Sequence, residues 1–131
     1  MKAIDTNLLV RIVTRDDEKR AAAVDAFLSE AGQTCFVPVT VALELESVLR
    51  YSYRLKRPAM AAVFNALLSN AALVFEHEGA VEAALDAMTG TKAGFPDGLH
   101  LALAMNAGHT PFVTMDLEAS KLPGAERLTA R

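Results

Sequence analysis

Four carboxylates far apart in the chain, Asp5, Glu44, Asp97 and Asp116, each fall where an apolar run ends or a helix begins. Asp5 closes Lys2-Ala3-Ile4, and Glu44 opens the helix after Cys35-Phe36-Val37. Asp97 sits just inside a helix announced by Pro96, and Asp116 follows Pro111-Phe112-Val113-Thr114. In a parallel α/β sheet the strand carboxyl ends share one edge, where ligands gather. The sequence therefore predicts that all four carboxylates point into one cavity. Two like charges about 4 Å apart repel by roughly 1 kcal/mol in water and roughly 4 at the effective dielectric of a protein surface. Such a group calls for cations, and carboxylate, water and phosphate oxygens suit Mg²⁺ or Mn²⁺. The chemistry to expect is metal-dependent work on phosphate esters.

The elements that must position these acids follow from the hydrophobic pattern. Residues 2–5, 34–38, 73–75 and 111–114 read as strands, and Glu126-Arg127-Leu128 as a short fifth. Thr6 or Asn7 caps a first helix carrying Leu8, Leu9 and Ile12, and Asp16-Asp17-Glu18 fill the first turn of a second, where acids suit the helix dipole. We expect that acid run to be a solvated helix start that Gly32 eventually stops. Val41, Leu45, Val48 and Leu49 recur at helical spacing. Glu44 borders this stripe and can reach the sheet edge, whereas Glu46 lies further round and reads as a surface charge. Pro58 begins a further helix, and another through Val81, Ala84, Leu85 and Met88 ends at Gly90. Gly90-Thr91-Lys92-Ala93-Gly94 reads as a flexible segment leading to Asp97. The helix after Pro96 is apolar on nearly every side, as a helix buried between other elements would be. Alternating β and α elements predict a three-layer α/β/α sandwich with a four- to five-stranded, mainly parallel sheet. Residues 1–131 are expected to form a single domain.

Composition narrows the function classes. The chain has 131 residues, 52% of them hydrophobic, and a formal net charge of −3. That length suits one domain with a real core. No apolar stretch approaches the roughly 20 residues of a membrane span, and the amino terminus enters a strand at once, leaving no room for a signal peptide. A cytoplasmic location without membrane association is expected, with the single Cys35 a buried free thiol. The negative total does not exclude nucleic acid, because up to four of the sixteen acids are candidates for neutralisation by metal, and charge distribution outweighs its sum.

These residues also carry a family resemblance. Ile4-Asp5-Thr6-Asn7 resembles the opening motif of PIN domains, in particular the VapC-type toxins of bacterial toxin–antitoxin pairs. Val41-Ala42-Leu43-Glu44-Leu45-Glu46-Ser47-Val48-Leu49 resembles the second motif, Phe95-Pro96-Asp97-Gly98-Leu99-His100-Leu101-Ala102-Leu103-Ala104 the third, and Val113-Thr114-Met115-Asp116 the fourth. Each motif alone is weak, and four in order over the whole chain are specific. The resemblance implies an Mg²⁺- or Mn²⁺-dependent endoribonuclease with Asp5, Glu44, Asp97 and Asp116 as its acidic quartet. It also implies an RNA substrate, a small VapB-type antitoxin, and a homodimer or toxin–antitoxin hetero-oligomer. The antitoxin's expected seats are the first helices around Leu8, Leu9 and Ile12 and the Val48–Tyr53 region. Many relatives carry another acid shortly before the third-motif aspartate, where this chain has Gly94-Phe95-Pro96, which bears on the number of ions bound.

In this reading Asp5, Asp97 and Asp116 ligate the metal, Glu44 binds metal or positions the attacking water, and hydrolysis leaves a 5′-phosphate. Asn7 and Thr114 are neutral groups suited to orienting carboxylates or a phosphate. Arg50-Tyr51-Ser52-Tyr53-Arg54-Leu55-Lys56-Arg57 reads two ways. It is either an RNA grip, with bases on the backbone and tyrosines stacked on nucleobases, or a helix end whose cations complement the dipole. Arg11 and Arg15 could extend that patch, and Lys92 could meet the scissile strand. His77, His100 and His109 lack metal-ligand spacing. His100 reads as a partly buried structural residue, and Glu76-His77-Glu78 as a solvated turn. Other readings of the same residues are a PIN nuclease of RNA processing and a catalytically silent RNA- or protein-binding module. A response-regulator receiver is disfavoured, because Leu73-Val74-Phe75 is followed by Glu76 and not by aspartate.

Overall fold

The computed structural model describes residues 1–30 and 32–130. Five short strands alternate with seven helices among them, and every strand pairing is parallel. This is the α/β arrangement expected of a PIN-like fold. The chain forms two compact units, Met1–Glu78 and Gly79–Arg131.

In the first unit, β1 (Lys2–Ala3), β2 (Cys35–Val37) and β3 (Leu73–Phe75) lie side by side in that order. The register sets Lys2 against Cys35 and Cys35 against Leu73. β1 is shorter than predicted, although the Ile4 N–H still donates to the Phe36 carbonyl at 3.0 Å. The chain then turns directly into α1 (Thr6–Thr14), so Asp5 is left at the strand end as the helix N-cap. That cap is Asp5 itself and not the expected Thr6 or Asn7; Thr6 is buried instead. α2 (Glu18–Leu28) begins one residue after its cap Asp17, whose carboxylate accepts from the Arg20 N–H, and it ends at Ser29, well before Gly32. Asp16 is therefore outside the helix.

β2 leads through Pro38 into α3 (Val39–Tyr51), and α4 (Arg57–Leu68) returns the chain to β3. Proline offers no side-chain oxygen for capping, and the Val39 N–H is met from far along the chain by Glu76 Oε1 at 2.8 Å. Glu76 is thus a half-buried cap, while His77 beside it in the turn and Glu78 are exposed as expected. Leu9, Cys35, Val37, Ala42, Leu45, Leu49 and Phe64 have no solvent exposure and form the unit's interior. Burying a Leu- or Phe-sized side chain contributes about 1.5–3 kcal/mol. Leu9 is consequently unavailable as a docking surface, while Leu8 and Ile12 remain half-buried.

The second unit comprises α5 (Glu78–Gly90), α6 (Phe95–Asn106), β4 (Phe112–Thr114), α7 (Leu117–Ser120) and β5 (Ala125–Arg127). β4 pairs with β5, Phe112 opposite Ala125. At Gly98 an added Cβ would stand 3.2 Å from the Ala84 Cα and the Ala87 Cβ, so glycine permits close approach of α5 and α6. Ala93, Leu101 and Leu122 are buried together, with Ala87, Phe112 and Ala125 packed against them. The segment predicted to be flexible is tied down. Thr91 Oγ1 donates to the Ala87 carbonyl at 2.6 Å and accepts from the Ala93 N–H at 3.0 Å, and Ala93 is fully buried. α6 is also less enclosed than its composition predicts: Phe95, Gly98, Leu99 and Leu101 are buried, but Met105 is 46% exposed.

Candidate active site

Asp5 and Asp116 arise from the same local design in different units. Each follows a strand, adopts extended backbone, and caps the next helix with one carboxylate oxygen. Asp5 Oδ1 accepts from the Leu8 N–H at 3.1 Å, and Asp116 Oδ2 from the Ala119 N–H at 2.8 Å. The second oxygen of each is not needed for capping. The Asp116 N–H in turn donates to Thr114 Oγ1 at 3.1 Å, so Thr114 orients the backbone that carries the acid. Asp97 occupies the first turn of α6, whose N-cap Gly94 has no side chain to offer. A carboxylate there is favoured by the open N–H groups and the helix dipole.

Glu44 and Asp5 line two separate cavities of the first unit, each about 260 Å³. The Asp5 cavity is completed by Asn7, Leu8, Arg11, Arg20, Ala23 and Val24, and the Glu44 cavity by Thr6, Asn7, Val10, Arg11, Val48, Ser52 and Tyr53. Asn7 and Arg11, four residues apart on α1, belong to both. Asn7 therefore lines the cavities of both first-unit acids.

The basic residues divide differently from the sequence reading. Arg50 is held by Glu46, with Nε to Oε2 at 2.8 Å and Nη2 to Oε1 at 3.1 Å, and its guanidinium lies 4.4 Å from the Tyr51 ring centroid. Glu46 is only 2% exposed, so it is a buried partner of Arg50 and not a surface charge. The Glu46 hydrogen bond raises the Arg50 pKa further above its usual value. The signal was present in the sequence as an acid four residues ahead of a base on one helix. Arg15 is likewise bidentate, to Asp25 at 3.1 and 2.7 Å. Arg54 has left-handed backbone between α3 and α4, Lys56 caps α4, and Arg57 begins it, all exposed. The basic run thus belongs only in its first two residues to the end of α3. Lys92 is exposed in the Thr91 turn. His100 is exposed, its ring 6.4 Å from that of Phe112, rather than partly buried. Cys35 is a buried free thiol, as expected.

The donor set is oxygen-only, which suits a hard divalent cation. Among the described residues no three or more His, Cys, Asp or Glu side chains gather closely enough to hold a metal ion. Mg²⁺ is commonly held by one or two carboxylates with waters and substrate phosphates completing its shell. Asp5 in the first unit and Asp116 in the second each keep an oxygen beyond the cap bond, as a carboxylate ligand of such an ion requires.

Residues 2–125 match the PIN domain family. The chain belongs to that family. No curated protein matches it. Two solved structures are similar to this PIN domain. One is a crystal structure of VapBC2 from Rickettsia felis bound to a DNA fragment from their promoter, 17% identical, covering 97% of this chain and 96% of that one, with a TM-score of 0.40. The other is a toxin–antitoxin complex from Klebsiella pneumoniae, 15% identical, covering 98% and 97%, with a TM-score of 0.36. Likeness at that level assigns no function. Among the described residues no helix is long and apolar enough to cross a membrane.

Proposed function

We propose that this PIN domain is an Mg²⁺- or Mn²⁺-dependent endoribonuclease, the toxin of a toxin–antitoxin pair, with Asp5, Glu44, Asp97 and Asp116 at its active site. The observation that carries the reading is the family match over residues 2–125; Asp5 and Asp116 follow strands and Asp97 lies in the first turn of α6, whereas Glu44 lies inside α3 and does not open it as expected. Asp5 and Asp97 would be the direct ligands of the ion, with Asp116 reaching it through water. When bound, the ion would lower the pKa of a water and offset charge developing on the phosphate. Glu44, at its cavity with Asn7, would accept a proton from the attacking water and align it. Asn7 would donate to a phosphate oxygen, and Thr114 would keep the Asp116 backbone in place. The antitoxin partner is inferred from the motif resemblance alone.

The test is cleavage of assorted RNAs by the purified chain with Mg²⁺, Mn²⁺ or a chelator, beside Asp97→Asn. Cleavage that requires metal, fails in the variant and leaves 5′-phosphate ends is expected. Metal-independent cleavage, or a 2′,3′-cyclic phosphate product, would reject the chemistry. Co-expression with the neighbouring reading frame should relieve toxicity, and persistent toxicity would reject the pairing.

A further inference from the structure

Asp16 has no part in the reading above, yet three side chains donate to its carboxylate. Arg11 Nη1 reaches Oδ1 at 2.6 Å, Thr14 Oγ1 reaches Oδ1 at 3.0 Å, and the Tyr53 hydroxyl reaches Oδ2 at 2.6 Å. Arg11 and Thr14 lie at the end of α1, and Tyr53 lies just past α3. The Tyr53 hydroxyl, with Thr14 and Arg11, holds the Asp16 carboxyl below the usual carboxylate range.

Arg11 is the member that meets the candidate site. Its side chain is only 18% exposed, and it lines both the Asp5 and the Glu44 cavities. Its Nε is buried without a hydrogen-bond partner. A buried unpaired N–H carries a desolvation penalty that a hydrogen-bond acceptor reaching it would offset. An anion entering either cavity would find a guanidinium already fixed on one side, and a planar fork suits phosphate oxygens.

We propose that Asp16 is a positioning residue that fixes Arg11 at the edge common to the Asp5 and Glu44 cavities, where Arg11 binds a phosphate of single-stranded RNA; this rests on the nuclease reading. Tyr53 is the second anchor, since its hydroxyl fixes the opposite oxygen of Asp16. Arg50, by contrast, is held by Glu46 along its Nε–Nη2 edge and lines neither cavity.

The test compares wild type, Arg11→Gln, Arg11→Lys, Asp16→Asn and the Arg11→Gln/Asp16→Asn pair, with thermal melting to verify that each folds. One readout is binding of a fluorescent single-stranded RNA with Ca²⁺ replacing Mg²⁺ and the strand shown to stay intact; the other is KM and kcat for cleavage with Mg²⁺. Arg11→Gln should weaken binding about ten- to a hundredfold, the range for a hydrogen bond to a charged group. It should also reduce the slope of log affinity against log salt by about 0.7, the share of one phosphate contact on a single strand. Asp16→Asn should raise KM several-fold with kcat within about twofold, because uniform binding is lost. The pair should be no weaker than Arg11→Gln alone, because Asp16 acts through Arg11. Arg11→Lys keeps the charge and should fall between. Additive effects of the two changes, or an unchanged salt slope in Arg11→Gln, overturn the positioning role. If wild type binds RNA without cleaving it and Arg11→Gln loses the binding, the nuclease reading falls and the positioning role stands. If wild type cleaves and the variants behave like it, the reverse holds. If wild type neither binds nor cleaves, both fall.

Discussion

Asp5 and Asp116 solve one local problem in two settings. Both follow a parallel strand, and both cap the next helix with a single oxygen. α1, however, runs nine residues and buries Leu9 and Val10, whereas α7 is a single four-residue turn whose buried residue is Ala119. Around Asp5 lies a cavity with Asn7, Arg11 and Arg20; beside Asp116, Met115 and Leu117 stand 66% and 46% exposed. The difference teaches that one capping geometry can sit on a long packed helix or on a single exposed turn, with more burial behind it at the first.

The largest expected effect treats the two positions alike. Asparagine caps helices as well as aspartate does, so Asp5→Asn and Asp116→Asn remove charge and keep the cap. Each should lower metal-dependent cleavage by on the order of a hundredfold or more, the scale of losing one electrostatic contact at a reacting centre. Melting temperatures should stay near wild type. A variant that melts normally and cleaves at the wild-type rate would remove that acid from the proposed site.

Next in size is the pair that resembles a site and is not one. Glu46 and Glu44 are two residues apart on α3, yet Glu46 is buried on Arg50 and Glu44 opens to a cavity. Arg50→Ala leaves the Glu46 carboxylate buried and unpaired. Removing one partner of a buried pair costs about 3–5 kcal/mol, and the partial exposure of Arg50 reduces this to about 2–3. Denaturant unfolding should show that loss. Glu44→Gln should unfold like wild type and lose cleavage instead. Equal stability of Arg50→Ala and wild type would mean that Glu46 finds water or another partner.

Much of this was legible in the sequence, and what was not has identifiable causes. The order of strands and helices followed from apolar periodicity, because short continuous apolar runs bounded by turn signals mark strands and 3.6-residue spacing marks helices. Asp5 and Asp116 were correctly set at strand ends. Their capping was missed at Asp5 because Thr6 is as plausible a cap by residue type. Glu46 was misplaced because the stripe Val41, Leu45, Val48 and Leu49 ignores an acid that becomes buried by pairing with a base one turn on. Glu76 was misread because its partner, the Val39 N–H, lies 37 residues away. Asp16 shows the same limit, since Tyr53 is also 37 residues distant. Local patterns report local partners, and the contacts of Glu76 with Val39 and of Asp16 with Tyr53 are long-range.

A third prediction separates the two caps by stability. Asp5→Ala should destabilise the chain by about 1 kcal/mol, the usual loss for an N-cap. Asp116→Ala should cost less, because a single helical turn carries little buried surface and frays easily. The comparison is sharpened by running both against their asparagine variants in the same unfolding assay. Equal losses at the two positions would mean that α7 is as integrated into its unit as α1.

The smallest effect concerns Asp16, and its sign follows from the hydrogen bonds. Tyr53, Thr14 and Arg11 favour the ionised carboxylate, so its folded pKa lies below the unfolded value of about 3.9. A depressed carboxyl pKa contributes stability that is fully present above the unfolded value. That contribution is lost as pH falls through the folded one. Wild type should therefore lose stability below about pH 4, and Asp16→Asn should show a shallower acid limb, less stable than wild type at neutral pH and converging with it as pH falls. Asp25, lowered by Arg15, contributes in the same direction, so the slope should diminish in the variant without vanishing. Tyr53→Phe removes the leading donor and should shift the limb the same way by a smaller amount. An acid limb identical in all three proteins would mean that the Asp16 cluster orders itself equally well in the unfolded chain.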